Sequence, residues 1–506
     1  MTTKVFSALM FGLSAIKIEI EVDLNKGKPG CTIIGLPSRA VAEAKERFTS
    51  ALQNSGIRIR SKKTVINLAP AGVKKTDNNF DLAMAVALLE AYGEISVSDS
   101  TTLWLGELSL TGQLRPIRGL LALVLAAKKL GFAKVVFPLC QKKEVEFVDS
   151  VALYPADSLT QIISLNKAGS SLVKLEPAIF FDKAQERNLS SHRDLSLIAG
   201  QKRAKRALEI AAAGGHSLLL VGPPGSGKSE LAKTLPTILP PLSIEMALEI
   251  STLHSLNNVL SEGLNLCPPF RSPHHSISYA GLVGGGELLK PGEISLAHRG
   301  VLLLDELLEF NRTALEALRQ PLEDGTITIS RLAGQVKYPA QFTLLATTNP
   351  CPCGFAGSAN GICSCNPTSL EKYKQKLSGP VLDRIDLQIR VEKIPQKVLV
   401  TDYAYVEENS KTVLSRVVKA RTCQTQRFSK TKFNLNADLR SVFVKKYCPL
   451  NKKAEDFFLN ASQKFNLTAR SHFKILTVAR TIADLAESEL IEIPHLAEAL
   501  SYRLEW

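Results

Sequence analysis

Leu218-Leu219-Leu220-Val221-Gly222-Pro223-Pro224-Gly225-Ser226-Gly227-Lys228-Ser229 is the stretch on which the fold turns. Four apolar, strand-forming residues run into a Gly/Pro-rich turn, and a Lys-Ser pair follows. The pattern from Gly222 to Ser229 is Gly-x-x-x-x-Gly-Lys-[Ser/Thr]. Each part has a chemical purpose. The strand is a rigid mount. Gly222, Gly225 and Gly227 let the backbone curl so that successive N–H groups converge on one centre. That centre is expected to become the start of a helix near Lys228, where partial positive charge favours phosphate. Lys228 would reach the β- and γ-phosphates, and the Ser229 hydroxyl would sit on Mg²⁺. Pro223, Pro224 and Ser226 complete the nucleotide-binding set. The alternative is a loop that merely contains three glycines. The strand before and the helix after both argue for phosphate.

The rest of a hydrolytic pocket lies further along. Val301-Leu302-Leu303-Leu304-Asp305-Glu306 reads as a buried parallel strand tipped with carboxylates. Asp305 can hold Mg²⁺ through water, and Glu306 can polarise the attacking water. Phe342 to Thr348 is a third strand, and Asn349 at its polar tip is placed to orient that same water. Arg384, within Leu382-Asp383-Arg384-Ile385-Asp386-Leu387 after a Gly379-Pro380 break, can neutralise transition-state charge; the alternative is a surface salt bridge. These parts resemble AAA+ ATPases. Ile198-Ala199-Gly200-Gln201 and the following Arg203–Ala213 helix resemble the segment covering the adenine, Asn349 the first sensor, and Thr468-Ala469-Arg470 the second-sensor arginine. The resemblance makes Arg384 an arginine finger offered to a neighbouring subunit, hence a ring.

Between Ser229 and Asp305 lie Phe270-Arg271-Ser272-Pro273-His274-His275-Ser276 and Gly281-Leu282-Val283-Gly284-Gly285-Gly286. Such glycine density suits an exposed flexible loop and resembles the second-helix insert of the magnesium-chelatase/MCM clade. Thr326–Arg331 and Gly334–Tyr338 alternate about a turn, which predicts a hairpin, placed as that clade places its pre-sensor hairpin. Arg331 and Lys337 are then candidate DNA-phosphate contacts, although Arg331 could instead serve the nucleotide pocket. His274 and His275 are adjacent, so their side chains are expected to point apart and to be structural. Cys351, Cys353, Cys363 and Cys365 put four thiols within fifteen positions. Four thiolates suit tetrahedral Zn²⁺; free thiols and redox pairing stay open. The other five cysteines are dispersed and read as packing residues.

Residues 1–165 read as an α/β domain that opens on a β-hairpin, because Ile18, Ile20 and Val22 alternate with charges. Further elements are expected at Pro37–Leu52 (helix), Thr64–Leu68 (strand), Asp81–Leu89 (helix), Trp104–Leu110 (strand), Leu120–Leu130 (helix) and Lys134–Pro138 (strand). Gly106–Gly112 and Pro116–Leu120 resemble the Lon-protease domain. The Ser–Lys dyad of that family is missing, since Asn78-Asn79-Phe80 and Leu121-Ala122-Leu123 occupy the corresponding places, so no covalent peptide hydrolysis is expected. The cations Arg58, Arg60, Lys62, Lys63, Lys74 and Lys75 are either a nucleic-acid surface or a solvated face. Residues 166–193 read as a linker, 194–395 as the ATPase core with a Cys-rich loop at 351–365, and 396–506 as a helical lid. The lid helices are expected at Val398–Tyr405, Ser410–Arg427, Ala454–Asn466, Ser471–Ser488 and Pro494–Tyr502. Arg416, Lys419, Arg421 and Arg427 are either DNA contacts or a wet helix face. The fold class is thus α/β: a Lon-protease-like N-terminal domain, an AAA+ P-loop core with a parallel sheet, and a C-terminal helical lid.

The chain has 506 residues and a formal charge of +14, a balance that suits a polyanionic partner. No apolar run reaches the ~18 residues of a membrane span, so no membrane association is expected, and cytoplasm is the default. Gly35-Leu36-Pro37, Asn67–Ala71, Arg206–His216, Asn349–Gly354 and Val478–Leu485 resemble the YifB/ComM proteins, magnesium-chelatase-like AAA+ proteins of bacteria, over nearly the full chain. That resemblance implies a hexameric ring using ATP and Mg²⁺ to drive branch migration of single-stranded or branched DNA in homologous recombination during natural transformation. The alternative is the motor of a metal-chelatase or protein-remodelling complex.

Overall fold

The computed structural model describes residues 3–97, 99–177, 193–257, 263–286, 288–331, 334–356, 363–376, 379–394 and 407–503. The middle of the expected linker and the expected Val398–Tyr405 helix lie outside the described residues.

Two sheets organise the chain. The first has seven strands, in the spatial order Gly30–Ile34, Lys63–Ala69, Ser14–Asn25, Thr3–Phe11, Thr102–Trp104, Lys134–Pro138, Ala152–Ala156. Its opening hairpin pairs Thr3 with Val22 through to Phe11 with Ser14. Ile18, Ile20 and Val22 face inward and are fully buried, as their alternation with charged residues requires. The helix Asp81–Tyr92 packs beneath, buried along nearly its whole length. Two expected elements break where the backbone has other partners. The strand expected at Trp104–Leu110 stops at Trp104 and resumes only at Glu107–Leu108. Between them Gly106 turns out of the sheet, and its carbonyl accepts from Leu82 N–H, at the start of the Asp81 helix, at 3.0 Å. The helix expected over Pro37–Leu52 divides at Glu43 into Arg39–Ala42 and Ala44–Asn54. Lys75 does not join a surface of cations: it is fully buried, and its amine donates to Gly35 O at 2.8 Å and to Pro70 O. Burial pulls its pKa down.

The second sheet has five strands, all parallel, in the order Phe270–Arg271, Val301–Leu304, Thr343–Thr348, Leu218–Val221, Leu387–Arg390. Leu218–Val221 is central, flanked by Leu345 and Leu387 opposite Leu218. The continuous apolar runs of Leu218–Val221 and Val301–Leu304 follow from burial on both faces. In such a sheet ligands gather beyond the carboxyl ends of the strands. There the phosphate-loop sequence, the acidic pair and Asn349 all emerge. Helices Ser410–Phe428, Ser441–Tyr447, Lys452–Lys464, Ala469–Leu485 and Ile493–Ser501 follow. The short Ser441–Tyr447 helix has no counterpart in the sequence reading. Ala469–Leu485 shares one apolar cluster with Lys202–Gly214 and with the central strand.

The two sheets are tied together. Gly119 N–H donates to Ser255 O at 3.1 Å, and Ala122 enters the apolar cluster of Leu253 and Leu256. The tip of the first hairpin meets the hairpin Thr326–Arg331/Gly334–Pro339. A β-carbon on Gly12 (φ 61°) would lie 2.3 Å from Val336 Cγ1, and one on Gly334 would lie 2.6 Å from Phe11 Cζ. Only glycine admits this approach at either position.

Candidate nucleotide site and its surroundings

Leu218–Val221 delivers Gly222 to a place where a β-carbon would lie 2.2 Å from Val391 O. Gly225 and Gly227 have φ of 71° and 83°, conformations glycine adopts without steric cost. The helix Lys228–Lys233 starts directly behind them. The Lys228 amine is buried and directed back across the loop. It donates to Gly222 O at 2.7 Å, to Pro223 O at 2.8 Å and to Asn349 Oδ1 at 3.3 Å. Burial lowers its pKa, and Asp305 and Glu306 work against that. A cation held at the mouth of a curled, amide-rich loop is chemically matched to phosphate oxygens.

The carboxylates stand two strands away, across Thr343–Thr348. Ser229 Oγ donates to Asp305 Oδ1 at 2.9 Å, and Thr347 Oγ1 donates to the same oxygen. A hydroxyl and a carboxylate in direct contact form the hard oxygen pair that Mg²⁺ takes. Glu306 follows in a left-handed conformation, φ 55°, with its N–H donating to Thr347 Oγ1 at 3.1 Å. Strain of this kind on a non-glycine residue collects at functional sites. Thr347 thus locks both acids in place, a role the sequence did not single out. His275 Nδ1 lies 3.7 Å from Glu306 Oε2. The expectation that His274 and His275 point apart fails: their rings stack with centroids 4.0 Å apart. Neither belongs to a metal-type cluster among the described residues.

Arg384 and Arg470 come together, away from this pocket. The Arg384 carbonyl accepts from Ser217 Oγ at 3.1 Å and from Lys474 Nζ at 2.5 Å. Ser217 precedes Leu218, so this anchor is at the amino end of the central strand, whereas the phosphate loop is at the carboxyl end. Four residues at ~3.3 Å each separate the two by about 13 Å. Both guanidiniums meet Glu323: Arg384 Nη2 pairs with its Oε2, and Arg470 Nη2 lies 2.5 Å from its Oε1. Beneath them Asp386 accepts from Ser217 N at 3.0 Å and pairs with Lys474. Burial alone would raise the Asp386 pKa; Lys474 and His216 outweigh it and hold the carboxyl below the usual range.

The glycine-rich insert and the expected hairpin lie side by side. A β-carbon on Gly284 would lie 2.8 Å from Ile329 Cδ1, and Tyr338 OH donates to Leu289 O at 2.7 Å. Ile327, Ile329, Val336 and Tyr338 fill the inner face. Lys337 pairs across with Thr328 on the outer face, whereas Arg331 is at the tip with its guanidinium beside Gly285. The two cations are exposed but on opposite faces. In the carboxyl-terminal helices, three of the four expected surface cations turn inward. Arg416 pairs with Glu209 and Glu408, Arg421 donates twice to Ala212 O, and Arg427 forks onto buried Asp484. They tie these helices to the core or to each other, and only Lys419, paired with Glu487, stays on a wet face. Gly200 N–H donates to Glu407 Oε1 at 2.8 Å, fixing the segment expected over the adenine.

Beyond Asn349, all four expected thiols converge within 4.8 Å of one another. Cys351 Sγ lies 3.3 Å from Cys353 Sγ and 3.7 Å from Cys363 Sγ. Tetrahedral zinc with ~2.3 Å bonds asks for sulfurs about 3.8 Å apart, so the set fits a metal. The Phe355 N–H and the Cys351 thiol pull the Cys353 pKa down to about 5, whereas the neighbouring sulfurs push Cys363 and Cys365 up, so Cys353 is the favoured thiolate of the group. Gly354 of this loop abuts the phosphate loop, where a β-carbon would lie 2.4 Å from Pro224 Cδ. Elsewhere, Cys448 is buried and Cys31 packs against the first core as expected, but Cys140, Cys267 and Cys423 are exposed. No helix among the described residues is long and apolar enough to cross a membrane.

Comparison with known proteins covers nearly the whole chain. Residues 194–399 match the family described as magnesium chelatase, subunit ChlI, residues 20–141 that described as subunit ChlI of Mg-chelatase, and residues 407–503 its C-terminal part. The competence protein ComM of Haemophilus influenzae is 41% identical over 502 residues, covering 99% of this chain and 97% of that protein. YifB of Escherichia coli K12, described as uncharacterized, is 41% identical over 495 residues, 97% of this chain and 95% of that one. An uncharacterized protein of Mycobacterium tuberculosis is 38% identical over 505 residues, 99% and 98% of the two chains.

Proposed function

The chain belongs to the YifB/ComM family of magnesium-chelatase-like AAA+ ATPases, and from that premise we propose that it is a ring-forming, ATP-driven DNA translocase that promotes branch migration of DNA in homologous recombination during natural transformation. The domain reading goes with it: a Lon-like amino-terminal domain without protease chemistry, an ATPase core and a helical lid. The relative from Haemophilus influenzae is named a competence protein, which supports the link to natural transformation.

One observation supports the ring above all. Arg384 is anchored at the end of the central strand opposite to Lys228. That placement, away from the subunit's own nucleotide, supports the reading in which a second copy supplies this guanidinium. In this reading Lys228 and the loop amides hold the β- and γ-phosphates. Mg²⁺, held by Ser229 and Asp305, would supply charge neutralisation at the phosphate oxygens. Glu306 takes up the proton of the attacking water, and Asn349, already bonded to Lys228, orients that water beside the γ-phosphate. A neighbour's Arg384 stabilises the charge that develops, an effect worth ~10³–10⁵ in rate in such motors. Arg470, on the same face as Arg384, serves the same neighbour. A hexamer is the closed form expected. Zn²⁺ at Cys351, Cys353, Cys363 and Cys365 would stiffen the loop that leaves Asn349 and abuts Pro224.

Arg331 and Lys337 are the DNA contacts, supported by a hairpin that projects exposed cations beside the glycine-rich insert. The net charge of +14 suits the same partner. The test is the ATPase rate with and without single-stranded DNA, together with DNA affinity over a salt series. Stimulation and a steep loss of binding with salt are expected. A rate indifferent to DNA, with no salt-sensitive binding, refutes the translocase.

A further inference from the structure

Glu323 touches both arginines. It comes from the short helix Arg319–Asp324, which ends at Gly325 (φ 62°) where the hairpin begins. Arg384 comes from the end of the ATPase sheet, and Arg470 from the first turn of the helix Ala469–Leu485. Three elements distant in sequence therefore converge on one carboxylate. Two guanidiniums brought this close repel each other. A carboxylate with one oxygen for each removes that repulsion and fixes their spacing. Glu323 is 49% exposed and Arg470 38%, whereas Arg384 is only 11% exposed, so an approaching anion meets Arg470 and the Glu323 carboxylate first.

Resting on the reading that Arg384 acts on a neighbour, we infer that Glu323 is a positioning residue for hydrolysis: it holds Arg384 and Arg470 as a matched pair, so that both arrive at one phosphate of the adjoining subunit. Its carboxylate occupies the anion position that the phosphate oxygens then share. Arg384 and Arg470 hold the Glu323 pKa below its ordinary value, with the Arg384 contact the larger cause. The clamp is built at the base of the hairpin, so the arginines and the hairpin take their position from the same helix.

An exposed ion pair kept only for stability contributes little and leaves catalysis alone. That contrast supplies the test. Full-length protein is compared, in its assembled form, as wild type, Glu323→Gln, Arg384→Ala and the double variant. Glu323→Gln keeps the size of the side chain and loses the bridge. Its kcat is expected to fall about tenfold with KM within about twofold and the melting temperature unchanged. The double variant is expected to be no slower than Arg384→Ala, because the two residues act as one unit. A normal kcat in Glu323→Gln beside an inactive Arg384→Ala overturns this inference and leaves the ring reading standing. Losses that simply multiply overturn it as well. Full turnover in Arg384→Ala removes the ring reading, and the role of Glu323 goes with it.

Discussion

At the scale of single residues, position decides what each charge can do. Glu306 is exposed, strained and fixed through its backbone by Thr347; its carboxylate, 3.7 Å from His275 Nδ1, stands beside the metal-type pair Ser229–Asp305. Glu306→Gln is therefore expected to bind ATP as wild type does while turnover falls at least about 10²-fold, a loss of the size that a general base contributes. Nucleotide binding measured beside phosphate release separates the two. Asp386 is a different case, a buried carboxylate whose role is mechanical. Asp386→Asn leaves Lys474 without its counter-charge and is expected to cost about 3–5 kcal/mol, read from denaturant unfolding. The sign with pH follows from its depressed pKa. The stabilisation is present above the unfolded value of ~3.9 and is lost as pH falls below it towards the folded value. Wild type and Asp386→Asn should therefore converge in stability under strong acid.

At the scale of elements, the hairpin and the cysteine loop are the parts that work on the outside world. Lys337, on the outer face, is a phosphate contact in this reading; Lys337→Ala is expected to reduce the salt slope of DNA binding by about one, measured by anisotropy. If the slope stays put, the hairpin does not touch DNA through that face. The thiol cluster predicts a metal content of one zinc per chain, and removal of the metal is expected to raise KM for ATP, because Gly354 bears on Pro224. Elemental analysis and steady-state kinetics on chelated protein check both. Much of this was legible from sequence. Glycines at 222, 225 and 227, apolar runs ending in Asp305-Glu306 and the strict alternation about residues 326–338 each encode local geometry, and the structure places those elements accordingly. What escaped depends on long-range partners. Nothing local shows that Thr347 braces both acids, that Glu323 joins two arginines, or that Arg416, Arg421 and Arg427 face inward. Spacing alone also put His274 and His275 apart, whereas a turn stabilised by the His274–Ser276 hydrogen bond stacks them.

At the scale of the whole molecule, the proposed pocket is divided between copies, and that has a direct consequence. Arg384→Ala keeps its own phosphate loop, and Glu306→Gln keeps its own arginine. Alone, Glu306→Gln is expected to lose about 10²-fold or more and Arg384→Ala about 10³-fold or more. Mixed, the two defective proteins are expected to regain part of the wild-type ATPase, since a junction that pairs an intact loop with an intact arginine reappears. A mixture as inactive as its components contradicts shared sites. The contact of Gly12 with Val336 and of Phe11 with Gly334 carries a different lesson. The first turn of the chain is seated on the 326–339 hairpin through the Val336 and Phe11 side chains, each packed directly against a glycine of the other turn. A displacement of that hairpin is therefore expected to be felt in the amino-terminal sheet.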